Sequence, residues 1–217
     1  MPVLFVGMIG YMLMSEGGAG ELKTALSTAG LPGGLVAAVL AGLMCFMAGI
    51  NPAIATAVSR EGRNGHAMLT SLPVKPQVYA GAKMAVGMLL SVGGVIVACI
   101  VAAVLMPGFL PDIAVALVIS ILYCFITNAL SLQFDIRSPK LDWMTETEAI
   151  KQGTGTLKGM LVGLGILLAV AAASVGLFLL NVGLMVYVLV MAAVLGLASW
   201  LSWMLLVSTA EKYYWVG

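Results

Sequence analysis

The chain has 217 residues, 62% of them hydrophobic and only 9% charged, with a formal net charge of +1. A soluble domain carries about 25% charged residues, so this chain cannot cover a water-facing surface and reads as an integral membrane protein in a lipid bilayer; nucleic acid is not an expected partner. Cys45, Cys99 and Cys124 all lie in apolar runs without metal-ligand or disulfide spacing, and read as small buried hydrophobes.

A membrane helix needs about 20 mostly apolar residues. No barrel-type alternation occurs, which leaves helices as the way to span lipid. The expected fold is all-α: one transmembrane domain over 1–217, a polytopic helical bundle of about six membrane segments with short cytoplasmic helices. The first segment, Pro2–Met14, covers little more than half a crossing. It has no charged n-region of the signal-peptide kind. It is expected to be the tail of a helix whose start is missing, so that the chain is the C-terminal part of a longer protein; a short or re-entrant helix is the alternative.

The next span is Gly33–Val58. Pro52 removes a backbone hydrogen bond and is expected to kink it. Asn51 beside it is either an interhelical hydrogen-bonding group or part of a substrate path. The segment that follows, 59–77 ("SREGRNGHAMLTSLPVKPQ"), is a compact charged loop holding the only histidine. Gly62 and Gly65 are expected to loosen the preceding helix. "HAMLTSL" then brings Ala67, Met68, Leu69 and Leu72 within two turns, a short helix with an apolar side. Pro73 ends it, and Pro76 suits the first turn of the next helix. That apolar side needs a partner, either the headgroup boundary or another protein.

Val78–Met106 is the third segment, with Lys83 near enough to its start to snorkel. The "PGFLPD" turn leads to Ile113–Leu132, where Asn128 has the same two readings as Asn51. The second loop, 134–156, contains "FDIRSPKLDWMTETEAIKQGTG". Thr145 and Glu148 have capping-box spacing for a helix there, and Trp143 is a candidate interfacial anchor. This loop is either a solvated connector or a structured face packed beside the first loop. Leu157–Leu180 and Val182–Thr209 complete the set. Small-residue pairs at Ala38/Gly42, Gly159/Gly163 and Ala192/Gly196 fit close helix contact.

Arg60, Arg63, Lys75 and Lys83 surround the first loop, and Arg137, Lys140, Lys151 and Lys158 the second. The positive-inside rule therefore places both loops and the C-terminus in the cytoplasm. The span interiors hold essentially no charge to couple to an ion gradient. No GxxxxGK[ST] phosphate loop occurs, and the single histidine has no nucleophile pairing. The chain is not expected to be an enzyme or to hold a cofactor or metal; energy for uphill transport would have to come from another subunit.

"SREGRNGHAMLTSLPVKPQVYAGAK", followed about fifty residues later by "FDIRSPKLDWMTETEAIKQ", resembles the permease subunits of a bacterial ABC-2-type exporter family. The likeness covers Ala57–Lys158, roughly half of the chain. It implies a transport permease of the cytoplasmic membrane, an exporter of unidentified cargo. It also implies a separate ATPase subunit, and a preceding membrane half or a second permease copy. On that model the first loop is a coupling element. Arg60, Glu61 and Arg63 would supply polar contacts to the ATPase, and Met68, Leu69, Leu72 and Pro73 the apolar ones. The competing reading is a membrane assembly or scaffold protein that binds a cytoplasmic partner through its basic loops.

Overall fold

The computed structural model describes residues 35–49, 52–105, 107–143, 154–180 and 183–213. Every regular element among them is helical: α1 (Leu35–Gly49), α2 (Pro52–Ala55), a 3-10 turn at Ser59–Glu61, α3 (Gly62–Thr70), α4 (Pro76–Leu105), a second 3-10 turn at Pro107–Phe109, α5 (Leu110–Arg137), α6 (Thr154–Leu179) and α7 (Leu184–Tyr213). Among the described residues, four stretches are long and apolar enough to cross a membrane: Pro76–Val104, Leu110–Arg137, Leu157–Leu177 and Leu184–Tyr213. Helices α4 and α7 have 30 residues each. At ~1.5 Å per residue each is about 45 Å long, enough for a hydrocarbon core about 30 Å thick with turns to spare. The chain is thus an integral membrane protein by helix length and composition.

The side-chain pattern suits lipid as the solvent. Ala80, Ala98, Ala102, Ala116 and Ala129 are fully buried, while Leu89, Val104 and Leu179 are 76%, 74% and 83% exposed. In water, so much exposed apolar surface would be an aggregation liability. In a bilayer, small residues belong between helices, where they let backbones approach, and large ones belong against lipid.

Several boundaries differ from the sequence-based expectation: the short helix expected over "HAMLTSL" is Gly62–Thr70, and α5 and α6 begin at Leu110 and Thr154, ahead of the expected Ile113 and Leu157. The span expected at Gly33–Val58 is two helices, α1 and a second that opens at Pro52, where a missing N–H costs nothing. Residues 50 and 51 lie outside the described ones, as do the Pro2–Met14 segment and the helix expected after Thr145. Helix α5 runs past Leu132 to Arg137, and α7 past Thr209 to Tyr213. Polar residues end a hydropathy window there without ending the backbone hydrogen bonding.

Contacts divide the chain into two compact units. One comprises the described parts of Met1–Ala48, Val92–Leu122 and Ile166–Leu195. Its interior is small and soft: Cys99 Sγ lies 3.6 Å from Met44 Sδ, Cys45 Sγ lies 3.8 Å from Ser120 Oγ, and Ser174 Oγ meets Tyr187 Oη at 3.1 Å. The other comprises the described parts of Gly49–Ser91, Tyr123–Gly165 and Gly196–Gly217. Ile54, Val58, Met84, Leu132 and Leu206 form its core, with Trp203 and Phe125 packed against it. It also holds both loops.

The three small-residue pairs separate cleanly. A Cβ at Gly159 would fall 2.8 Å from Ser131 Oγ, and the Gly163 carbonyl accepts a hydrogen bond from Tyr123 Oη at 2.9 Å. That pair is a close approach. Gly42 and Gly196 have nothing within 4 Å of a built Cβ. Gly87 is tighter still: a Cβ there would come within 2.6 Å of Ile54 Cδ1.

Candidate functional site

The charged loop is built around two buried carboxylates. Asp135, on the last turns of α5, is 1% exposed. Its Oδ2 accepts from the backbone N–H of Val58 (2.6 Å) and of Ser59 (3.1 Å), and its Oδ1 accepts from Ser59 Oγ. Ser59 is used at every polar atom. Its hydroxyl accepts from the Lys140 N–H at 3.0 Å and its carbonyl from Trp143 Nε1 at 2.8 Å. Residues 138–143 therefore lie against the first loop, as the packed-face reading of that segment expects. Trp143 is thus an internal strap on the first loop. Gly62 sits beneath it at φ +65°, a backbone region that L side chains rarely adopt, and a Cβ there would stand 3.5 Å from the indole. Gly62 is thus the point where the 3-10 turn gives way to α3. Gly65 breaks nothing, since it lies within α3.

Glu61 is the second hub. Its side chain is 7% exposed. Oε1 accepts from Lys83 Nζ at 2.6 Å and from Tyr79 Oη at 2.7 Å, and Oε2 meets His66 Nδ1 at 2.9 Å. A carboxylate only accepts, so His66 carries its proton on Nδ1 here. Lys83 also donates to the Ala57 carbonyl at 2.7 Å. This explains the lysine one to two turns inside its span: it neutralises a buried acid and closes an open backbone acceptor. Among the described residues every buried side-chain nitrogen and oxygen has a partner.

Helix α3 ends as an orderly stop. Thr70 Oγ1 donates to the His66 carbonyl (3.0 Å) and Ser71 Oγ to the Met68 carbonyl (2.7 Å), while Pro73 removes the next donor. The residues expected at a partner interface divide in consequence. Arg60, Arg63 and Pro73 are exposed, Met68 is 69% exposed and Leu72 42%. Leu69 is partly buried against the core, and Glu61 points inward. Arg63 pairs with Asp142 at 3.4 Å, both side chains about three-quarters in solvent (78% and 76%). Such a pair is worth ~0–1 kcal/mol.

Of the two asparagines weighed for a substrate path, Asn51 lies outside the described residues. Asn128 is 1% exposed and donates to Ser91 Oγ at 3.2 Å, with Met88 Sδ at 3.5 Å, which is a helix-to-helix contact. Sequence reasoning did not single out Ser59, Tyr79 or Asp135. Asp135 had a legible signal: an acid in the last turn of a helix, where the macrodipole disfavours negative charge. It was hidden because the span was expected to end at Leu132. No protein-family model matches the chain, and no curated protein or solved structure matches it either.

Proposed function

We propose that the chain is the permease component of an ATP-binding cassette transporter, an exporter of the cytoplasmic membrane driven by a separate ATPase subunit. Its two loops would face the cytoplasm, and a preceding membrane half or a second permease copy would complete the pathway. The observation that carries this reading is the form of 59–77. The 3-10 turn, the short helix and the turn after it leave Arg60, Arg63, Met68, Leu72 and Pro73 exposed, while the same segment is fastened to α4 through Glu61 and to α5 through Asp135. A surface meant only to rest on headgroups gains little from such backing. A surface that receives a push needs it. The motif resemblance supports the same reading, because its two segments meet at Ser59.

The test is co-purification in detergent with a P-loop protein encoded beside it, followed by reconstitution. The expected result is a stoichiometric complex whose ATP hydrolysis drives cargo efflux from vesicles. Recovery of a different cytoplasmic partner with no ATPase would favour the scaffold reading. Orientation is checked separately with single cysteines in a cysteine-free background, one at Ser27 in the 15–31 segment, which the positive-inside rule puts outside, and one at Ser138. An impermeant thiol reagent should label only the first in intact cells, and labelling of the second alone would reverse the proposed topology.

A further inference from the structure

Asp135 is placed against two local preferences at once. It is an acid near the C-terminal end of α5, where the helix dipole already concentrates negative charge. It is also almost fully buried, in a stretch long and apolar enough to cross a membrane, where a carboxylate is costly. No ion pair to it occurs among the described residues; the nearby ammonium of Lys83 is engaged by Glu61 and the Ala57 carbonyl. All three of its close hydrogen-bond donors come from Val58 and Ser59, the entry to the charged loop. A residue that breaks local rules is repaid by something non-local. Here the repayment is a joint: α5 supplies the acceptor that the turn from α2 into Ser59–Glu61 lacks. A neutral side chain of similar shape does this work less well. In asparagine the retained oxygen can still accept from both amides, but without a full charge, and its N–H2 group then makes Ser59 Oγ an acceptor although it already accepts from Lys140 N–H.

We propose that Asp135 is the positioning residue of coupling. With Ser59 as its clasp, it fastens the loop that carries α3 to the end of α5, so that displacement of α3 moves that helix and is not absorbed in the loop. This rests on the permease reading above, but the joint itself can be tested without an ATPase. Lys140 and Trp143 close over the same serine and hold the clasp shut from the other side.

The experiment compares Asp135→Asn and Ser59→Ala with wild type by two measurements. The first is hydrogen–deuterium exchange on the purified permease alone, followed at residues 56–63. Asp135→Asn should speed exchange of the Val58 and Ser59 amides at least tenfold and leave α7 unchanged. Ser59→Ala keeps the carboxylate and both amide bonds, and should give a smaller increase, about threefold. The second is efflux per ATP hydrolysed in vesicles holding the permease–ATPase complex. Asp135→Asn should retain bound ATPase and lose most of the efflux per ATP, and Ser59→Ala should lose part of it. Unchanged exchange at 56–63 in both variants overturns the joint whatever the protein transports. Faster exchange with wild-type efflux per ATP overturns its role in coupling. Absence of any ATPase complex in the wild type defeats the permease reading while the exchange result still decides the joint. Should Asp135→Asn fail to fold, Ser59→Ala decides both points alone: wild-type exchange and efflux would sink the proposal.

Discussion

The two sides of Ser59–Gln77 follow different physical rules. On the inner side, Ser59, His66 and the Glu61 side chain are buried, and among the described residues every buried side-chain nitrogen and oxygen has a partner. On the outer side, Met68, Leu72 and Pro73 stand exposed with Arg60 and Arg63, and the Arg63–Asp142 ion pair is solvated. The inner side is where stability resides, since a buried charge that loses its partner is expensive. The outer side contributes little to the fold and is free to serve recognition. A charge reversal and an apolar-to-acid change within twelve residues of each other should therefore have different phenotypes.

The largest effect is expected at Glu61→Lys, which sets a second ammonium against Lys83 and strips Tyr79 and His66 of their acceptor. Breaking a buried pair costs about 3–5 kcal/mol, so thermal unfolding in detergent should drop by roughly 10 °C or more. A wild-type unfolding temperature would mean that the inner side is not what holds the loop. This replaces the simpler expectation that Glu61 acts as a partner contact alone.

Leu72→Asp should do the reverse. Its unfolding temperature should stay near wild type. If the proposed permease reading holds, retention of the ATPase partner it calls for should fall by about thirtyfold or more, as for an interface anchor worth some 2 kcal/mol or above. If Leu72→Asp lowers stability and leaves retention intact, the outer side is a packing surface and the contrast between the two sides fails.

A smaller effect sharpens the comparison at the helices behind the inner side. Gly159→Ala presses a methyl group on Ser131 and should cost about 1–3 kcal/mol. Gly196→Ala meets open space and should be neutral in the same unfolding assay. Equal behaviour of the two would mean that the close approach at Gly159 is not maintained. Smallest of all, Arg63→Ala removes a solvated pair and should shift stability by less than about 1 kcal/mol.

Membrane class, the four long helices, the stop at Pro73 and the start of α4 at Pro76 were legible in the chain itself. These depend on length, apolar content and the missing proline N–H, all of which are local. The short helix of the charged loop was legible for the same reason. The inward turn of Glu61, the meeting of Ser59 with Asp135, the strap of Trp143 over Gly62 and the contrast between Gly159 and Gly196 were decided only by tertiary structure. Ser59 and Asp135 are 76 residues apart. A hydrogen bond across that separation leaves no periodicity in either segment, and a glycine reveals its use only when the neighbour that fills the missing Cβ's place is known. Sequence set which residues could be buried and which runs could cross lipid. Packing chose which buried charge met which donor, because that choice depends on distances that no single helix contains.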